Sequence, residues 1–134
     1  MERIKIVARY KDGGVIKGYT QNFNSNRPHF HLFPVDTGFS SKAVEVIIND
    51  LKAVFFVSDF TGNPQYNERK EFTPNDKPLG QKVEVTFVDG EILVASTMGY
   101  NPQRPGFFLF LVDSKSNNQR VFVVSSAVKN VRFL

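Results

Sequence analysis

Hydrophobic and polar residues alternate along most of this chain with a period of two, which is the pattern of half-buried β-strands. The run 4–10 is the clearest case, because its apolar residues alternate with basic ones. Asp12-Gly13 and Asp89-Gly90 each separate two such runs, and this dipeptide is the strongest short-range signal for a β-hairpin. No stretch of ten residues has the 3.6-residue period of an amphipathic helix. The pattern therefore predicts an all-β chain.

The second half of the chain repeats the first half at an offset of 77 residues. Lys11–Gly18 recurs as Val88–Ala95, and aligning Ile4–Val57 with Gln81–Leu134 without a gap gives 17 identical positions of 54. The chain thus divides into a first unit (residues 1–57), a Pro- and Gly-rich linker (58–80) and a second unit (81–134). Units of about 55 residues are near the lower size limit for independent folding, so we expect the two units to pack together.

Each unit contains five strand-like runs separated by turn residues, which predicts a small five-stranded barrel. After the first hairpin of each unit, the remaining strands are expected in equivalent positions: His29–Asp36 and Gly106–Asp113, Val44–Ile48 and Val121–Val124, Leu51–Val57 and Val128–Leu134. The run Phe107–Val112 is apolar on both faces. Because a strand buried on both faces needs a second layer over it, we expect the first unit to cover this strand.

The segment Asp12–Gly18 resembles the first motif of the Sm-like family of small SH3-like barrels, and Phe23-Asn24 falls where that family has an aromatic residue followed by Asp. The resemblance implies two tandem Sm-like barrels and suggests single-stranded RNA or DNA as a ligand. The family's Arg-Gly or Lys-His signature between the last two strands is replaced by Asn49-Asp50 and Ser126-Ala127. The chain also resembles an uncharacterised bacterial tandem-barrel family through Leu51–Val57, and that resemblance implies no activity.

Composition narrows the class of protein only slightly. Seventeen basic and 13 acidic residues give a net charge of +4, which is too small to require a polyanionic partner. Cysteine is absent, which excludes disulfides and thiolate metal sites and favours the cytoplasm. Charges interrupt every apolar run near the start, and no run is long enough to span a membrane, so we expect neither a signal peptide nor a membrane segment.

Catalytic and metal-binding patterns are weak. His29 and His31 share one face of a predicted strand, but zinc requires four ligands, and we interpret the pair as an exposed or inter-unit strand face. Asp12 and Asp89 are explained as turn residues. We therefore expect no enzyme activity, no cofactor and no metal.

Two binding hypotheses remain. The first is a protein partner that binds the inter-unit surface and the linker around Tyr66 and Phe72. The alternative is single-stranded nucleic acid, with phosphates bound by arginines that precede prolines and by a basic stripe on the first strand, and with two aromatic rings as stacking platforms. These residues are Arg27 and Arg104, the stripe Arg3, Lys5, Arg9 and Lys11, and the rings of Phe23 and Tyr100. The oligomeric state is left open.

Overall fold

The computed structural model describes residues 4–35, 42–60, 72–73, 76–112 and 118–134. The first unit contributes five strands: β1 (Ile4–Tyr10), β2 (Val15–Thr20), β3 (His29–Pro34), β4 (Val44–Ile47) and β5 (Leu51–Val57). The second unit contributes β6 (Gln81–Phe87), β7 (Ile92–Thr97), β8 (Gly106–Leu111), β9 (Asn118–Val124) and β10 (Val128–Phe133). A short 3₁₀ turn precedes the last strand of each unit, at Ile48–Asp50 and Ser125–Ala127.

The described strands form one antiparallel sheet of ten, in the order β10-β6-β7-β8-β9-β5-β1-β2-β3-β4. The last strand of each unit lies beside its first strand, so both units have the same internal order. The prediction of an all-β chain is confirmed. Two separate closed barrels are not shown. The structure has instead a single open sheet, because β5 of the first unit pairs with β9 of the second, with Val54 opposite Phe122.

The hydrophobic core consists of two clusters, and each contains residues from both units. Phe122 and Val124 of β9 pack into the cluster of the first unit. Ala53 of β5 is fully buried in the cluster of the second unit. The two paired strands are apolar on both faces because each face meets a different cluster. The units therefore pack together as expected, but mainly through β5 and β9; from β8, Phe108 packs against the cluster of the first unit.

Several residues that are identical in the two units form the same backbone contacts. Asp12 Oδ1 accepts the N–H of Gly14 at 2.8 Å, and Asp89 Oδ1 accepts that of Glu91 at 3.0 Å. The glycines that follow these aspartates have φ of 97° and 94°, which a residue with a Cβ rarely adopts. Both aspartates are thus turn residues, as predicted.

Gly18 is required by a close approach between strands β2 and β3. A Cβ at this position would overlap the carbonyl oxygen of Phe33 and a methyl group of Leu32. We expect Gly18→Ala to lower the free energy of unfolding by about 2 kcal/mol, the usual cost of overpacking a core, measured by urea denaturation.

Ala95→Gly is the matched control, because Ala95 occupies the equivalent place in the second unit and is fully buried there. It should cost about 1 kcal/mol through the lost methyl group and the added backbone freedom. A Gly18→Ala variant as stable as the parent chain would show that the strands separate easily at this point.

Candidate binding groove

The connection between β2 and β3 forms a groove of about 460 Å³ on the first unit. Most of its lining side chains are polar or cationic, and they come from the loop and from the start of β3: Asn22, Phe23, Asn24, Arg27, His29 and His31. Arg27 and Phe23 are both predicted binding residues, and the structure brings them together. The sequence pattern places the two histidines only on a strand face. The signal that could have included them is their position directly after the Arg27-Pro28 loop.

The loop backbone holds the groove in a fixed shape. Asn24 Oδ1 accepts the N–H of Asn26 at 2.9 Å, and the carbonyl of Asn24 accepts the N–H of Arg27 at 3.1 Å. The carbonyl of Pro28 accepts the N–H of Ile48 at 2.9 Å, which anchors the loop to the 3₁₀ turn. Arg27 itself is exposed. Its backbone is therefore fixed while its guanidinium faces solvent at the groove.

Asn22 orients the ring of His31. Asn22 Oδ1 accepts the backbone N–H of His31 at 3.0 Å, so the carboxamide nitrogen must be the atom 3.0 Å from His31 Nδ1. An amide nitrogen can only donate, and Nδ1 is therefore the acceptor. In the neutral ring the proton then resides on Nε2. The arrangement gives His31 one fixed hydrogen-bond donor for a ligand.

Phe23 forms the floor of the groove. Its ring makes edge-to-face contacts with Phe30 at 5.1 Å and with Phe56 and Phe122 at 5.4 Å between ring centroids. It is half-buried, so the ring serves the core first and the groove second. Its counterpart Tyr100 packs similarly on Phe107, at 4.9 Å.

The second unit lacks the histidine pair. Gly106 replaces His29, and a Cβ there would overlap the ring of Phe122 and the carbonyl oxygen of Val123. Phe108 replaces His31, and its ring lies 5.1 Å from that of Phe122. Arg104 keeps the loop geometry of Arg27, with its N–H 3.1 Å from the carbonyl of Asn101. Both arginine loops thus have the same backbone hydrogen bond, but the imidazoles belong to the first unit alone.

Lys5 of the basic stripe and Lys17 of the neighbouring strand contact the start of the linker. Lys5 Nζ donates to the carbonyl of Ser58 at 3.3 Å, and Lys17 Nζ donates to that of Phe60 at 3.1 Å. The guanidinium of Arg9 lies 4.9 Å from the centroid of the Phe55 ring. Lys5 and Lys17 therefore hold residues 58–60 against the sheet. Arg3 lies outside the described residues.

The contact between the two units, which is centred on the pairing of β5 with β9, is called the seam below. A second cluster of polar residues lies on this seam. Lys11 Nζ donates to Ser126 Oγ at 2.6 Å, and Ser126 Oγ donates to Asn49 Oδ1 at 3.0 Å. Lys52 Nζ lies 2.7 Å from Asp89 Oδ2, bonds Glu91 as well, and sits 4.6 Å from the centroid of the Phe87 ring. A cavity of about 190 Å³ opens here. The cations at this seam bind the two units to each other.

Charge pairing shifts two pKa values at the seam. Partial burial acts to lower the pKa of Lys52, but hydrogen bonds to the carboxylates of Asp89 and Glu91 outweigh it and raise the pKa above the ordinary 10.5. The hydrogen bond from Lys52 lowers the pKa of Asp89 below the ordinary 3.8. The ion pair is therefore fully formed at neutral pH.

The remaining predicted residues belong to the linker. Tyr66 lies outside the described residues, and the ring of Phe72 is 5.1 Å from Lys82 Nζ. Within the ranges that the structure describes, no three His, Cys, Asp or Glu side chains cluster as a metal site would require. In those same ranges, no helix has the length and hydropathy needed to cross a membrane.

These features define an all-β protein whose ten described strands form one open antiparallel sheet, with a polar groove at the connection between β2 and β3. The model of a family of unknown function, DUF6982, matches residues 2–134, and the chain belongs to this family. Neither the curated proteins nor the solved structures contain a match to the chain.

Lys52→Met should weaken the seam, because it removes the cation that two carboxylates and one ring share. We expect a melting temperature about 4 °C lower at pH 7, from the usual size of such contacts. The contribution of Asp89 is fully present above pH 3.8 and lost as the pH falls through its lower folded value. That of Lys52 is fully present below pH 10.5 and lost as the pH rises through its higher folded value. Melting curves from pH 2 to 11 should therefore show a constant difference in melting temperature between the parent chain and Lys52→Met near neutral pH. This difference should shrink at both extremes of pH.

Asp89→Asn is the matched control for this ion pair. Its amide oxygen still accepts the N–H of Glu91, so the turn is preserved while the charge is removed. If the difference in melting temperature between the parent chain and Lys52→Met stays unchanged in strong acid, the lysine acts through packing alone.

Proposed function

We propose that this protein is a non-enzymatic binding module whose groove between β2 and β3 takes a single-stranded nucleic acid. The observation that supports this function best is the convergence of one guanidinium, two imidazoles and two carboxamides over an aromatic floor. In finer detail, we propose an Sm-like relationship for each unit, supported by the five strands and by the Asp-Gly first hairpin. A cytoplasmic location, favoured by the absence of cysteine, belongs to the same proposal.

Each lining residue suits one part of a nucleotide. The exposed guanidinium of Arg27 can bind phosphate oxygens in a bidentate way. The carboxamide of Asn24 and the fixed Nε2–H of His31 can hydrogen-bond base edges, which are accessible only in unpaired strands. The partly exposed ring of Phe23 offers a limited apolar surface for a base. The groove volume of about 460 Å³ lies within the usual range for small-ligand sites.

The groove chemistry favours binding over catalysis. A histidine that activates a nucleophile is normally oriented by an acidic group, which stabilises the imidazolium formed during the reaction. His31 is oriented by the carboxamide of Asn22 instead. A neutral partner gives no such stabilisation, so His31 is better suited to donate a hydrogen bond than to accept a proton.

A protein partner on the inter-unit surface and linker is the second candidate function. The charged residues of that surface, Lys11 and Lys52, already bond groups of the other unit. Of the linker residues proposed for this role, Phe72 contacts Lys82. The groove is therefore the stronger candidate, since its cationic side chain faces solvent.

Arg27→Ala should weaken binding of a labelled single-stranded RNA or DNA by about tenfold. It should also reduce the steepness of the fall of log affinity with log salt concentration by about one. Fluorescence anisotropy at low and physiological salt measures both. The expected cause is the loss of one phosphate contact from a groove that is otherwise intact. Asn22→Ala should also weaken binding, because it releases the ring of His31.

Arg104→Ala is the matched control, because it removes the same charge from the same loop position of the unit without histidines. It should weaken binding less than Arg27→Ala. Equal losses for the two variants would mean that net charge, rather than the groove, attracts the nucleic acid. No binding by the parent chain at low salt would reject the proposal and would direct attention to a protein partner.

A further inference from the structure

The two units are joined through unlike strands. The fifth strand of the first unit, β5, pairs with the fourth strand of the second unit, β9. A contact between unlike surfaces of equivalent units is heterologous, and it leaves one unused copy of each surface at the two ends. The sheet accordingly ends in β4, a fourth strand, and in β10, a fifth strand. The ends of the molecule thus carry the same two kinds of strand that join its units.

The two end strands expose apolar residues whose counterparts are buried at the seam. Val44 in β4 is 37% exposed, whereas its counterpart Val121 in β9 is fully buried. Phe133 in β10 is 50% exposed, whereas its counterpart Phe56 in β5 is 3% exposed. The seam therefore covers these positions in the middle of the sheet, while solvent reaches them at its ends.

The end strands also carry complementary charges. Lys129 and Arg132 lie exposed on β10, and Glu45 lies exposed on β4. Arg132 also forms an exposed ion pair with Glu84 of the neighbouring strand, at 3.1 Å. Lys129 is the counterpart of Lys52, and Asp12 is the counterpart of the Asp89 that Lys52 binds across the seam. The residue types of the principal ion pair of the seam are thus repeated in Lys129 and Asp12.

We propose that β10 of one chain pairs antiparallel with β4 of a second copy, head to tail. The register follows from the internal seam by the 77-residue offset: Ala53 opposite Val123 becomes Asn130 opposite Val46. In the same way Val54 opposite Phe122 becomes Val131 opposite Glu45, and Phe55 opposite Val121 becomes Arg132 opposite Val44. The partner is therefore another molecule of this chain, and the contact extends the sheet as edge strands readily do.

The contact between chains is weaker than the seam within a chain. Asn130 stands where the seam has buried Ala53, and Glu45 stands where it has Phe122. Burying polar groups in place of apolar ones reduces the gain from association. Gly14 also replaces Glu91, so Lys129 meets one carboxylate rather than two. Association should consequently depend on protein concentration, in contrast to the permanent seam.

Two single variants block one end each. Val44→Lys places a lysine opposite Arg132 on the second copy, and Phe133→Lys removes an exposed apolar ring from β10. Like charges directly opposite in a sheet repel, and Phe133→Lys loses apolar contact area, so each variant should weaken self-association by about tenfold or more. Val44→Glu should weaken it less, because glutamate faces Arg132 favourably. Ile92→Lys is the control, since Ile92 is 59% exposed but lies in β7, away from both ends.

Sedimentation velocity of the full chain over a range of micromolar concentrations tests the proposal. The parent chain and Ile92→Lys should associate, to a discrete mass if the rotation closes a ring and to growing masses if it does not. Val44→Lys and Phe133→Lys should each be monomeric, and an equimolar mixture of the two should form a dimer, because one intact β10 then meets one intact β4. Thermal melts of every variant check that each is folded.

The proposal is overturned by a parent chain that stays monomeric at every concentration. It is equally overturned if Val44→Lys and Val44→Glu weaken association alike, since β4 would then not face Arg132. A mixture of the two blocked variants that remains monomeric would also exclude the head-to-tail arrangement. Because none of these variants alters the groove, loss of nucleic-acid binding and loss of self-association can be distinguished.

Discussion

The pairing of β5 with β9 is the contact on which the rest of this structure depends. A unit of about 55 residues has too little interior to bury enough apolar surface alone. At the seam, alternate residues of each strand enter alternate clusters, so Val54 and Phe122 complete one core while Ala53 and Val123 complete the other. Neither core is complete without a strand of the other unit. The chain therefore folds as one body whose two halves are interdependent.

The groove also depends on the pairing of β5 with β9. Phe23 forms its floor, and the ring of Phe23 touches Phe122 and, at 6.5 Å, Phe108, both from the second unit. Removing the second unit would leave the floor partly unsupported. The groove lies on the first unit in sequence but is positioned by the second. Its lining residues are thus held by a core that forms only when the seam forms.

The sequence predicts the local elements well and the long-range arrangement less well. Period-two patterns and Asp-Gly turns locate the ten strands within a few residues, because a strand and its hairpin are set by neighbouring residues. The choice of strand partner is set by complementarity between distant faces, and no local pattern shows that β5 meets β9. The apolar runs of Leu51–Val57 and Val121–Val124 are the available signal for this pairing, although the sequence pattern predicts a covering layer only for Phe107–Val112. The same limit applies to His29 and His31, whose place in a groove depends on a loop folding beside them.

Divergence between the two copies explains why the histidine-lined groove lies on the first unit. The residues that shape the turns and loops are the same in both copies, as with Asn24 and Asn101 or Thr20 and Thr97. The differences fall where the copies meet different surroundings: Gly106 and Phe108 serve the shared core, while His29 and His31 face the groove. A single chain therefore carries one copy of the histidine pair. A head-to-tail assembly would display one groove per chain along a continuous sheet, and a single strand that spans several grooves would then bind with an avidity that no isolated chain has.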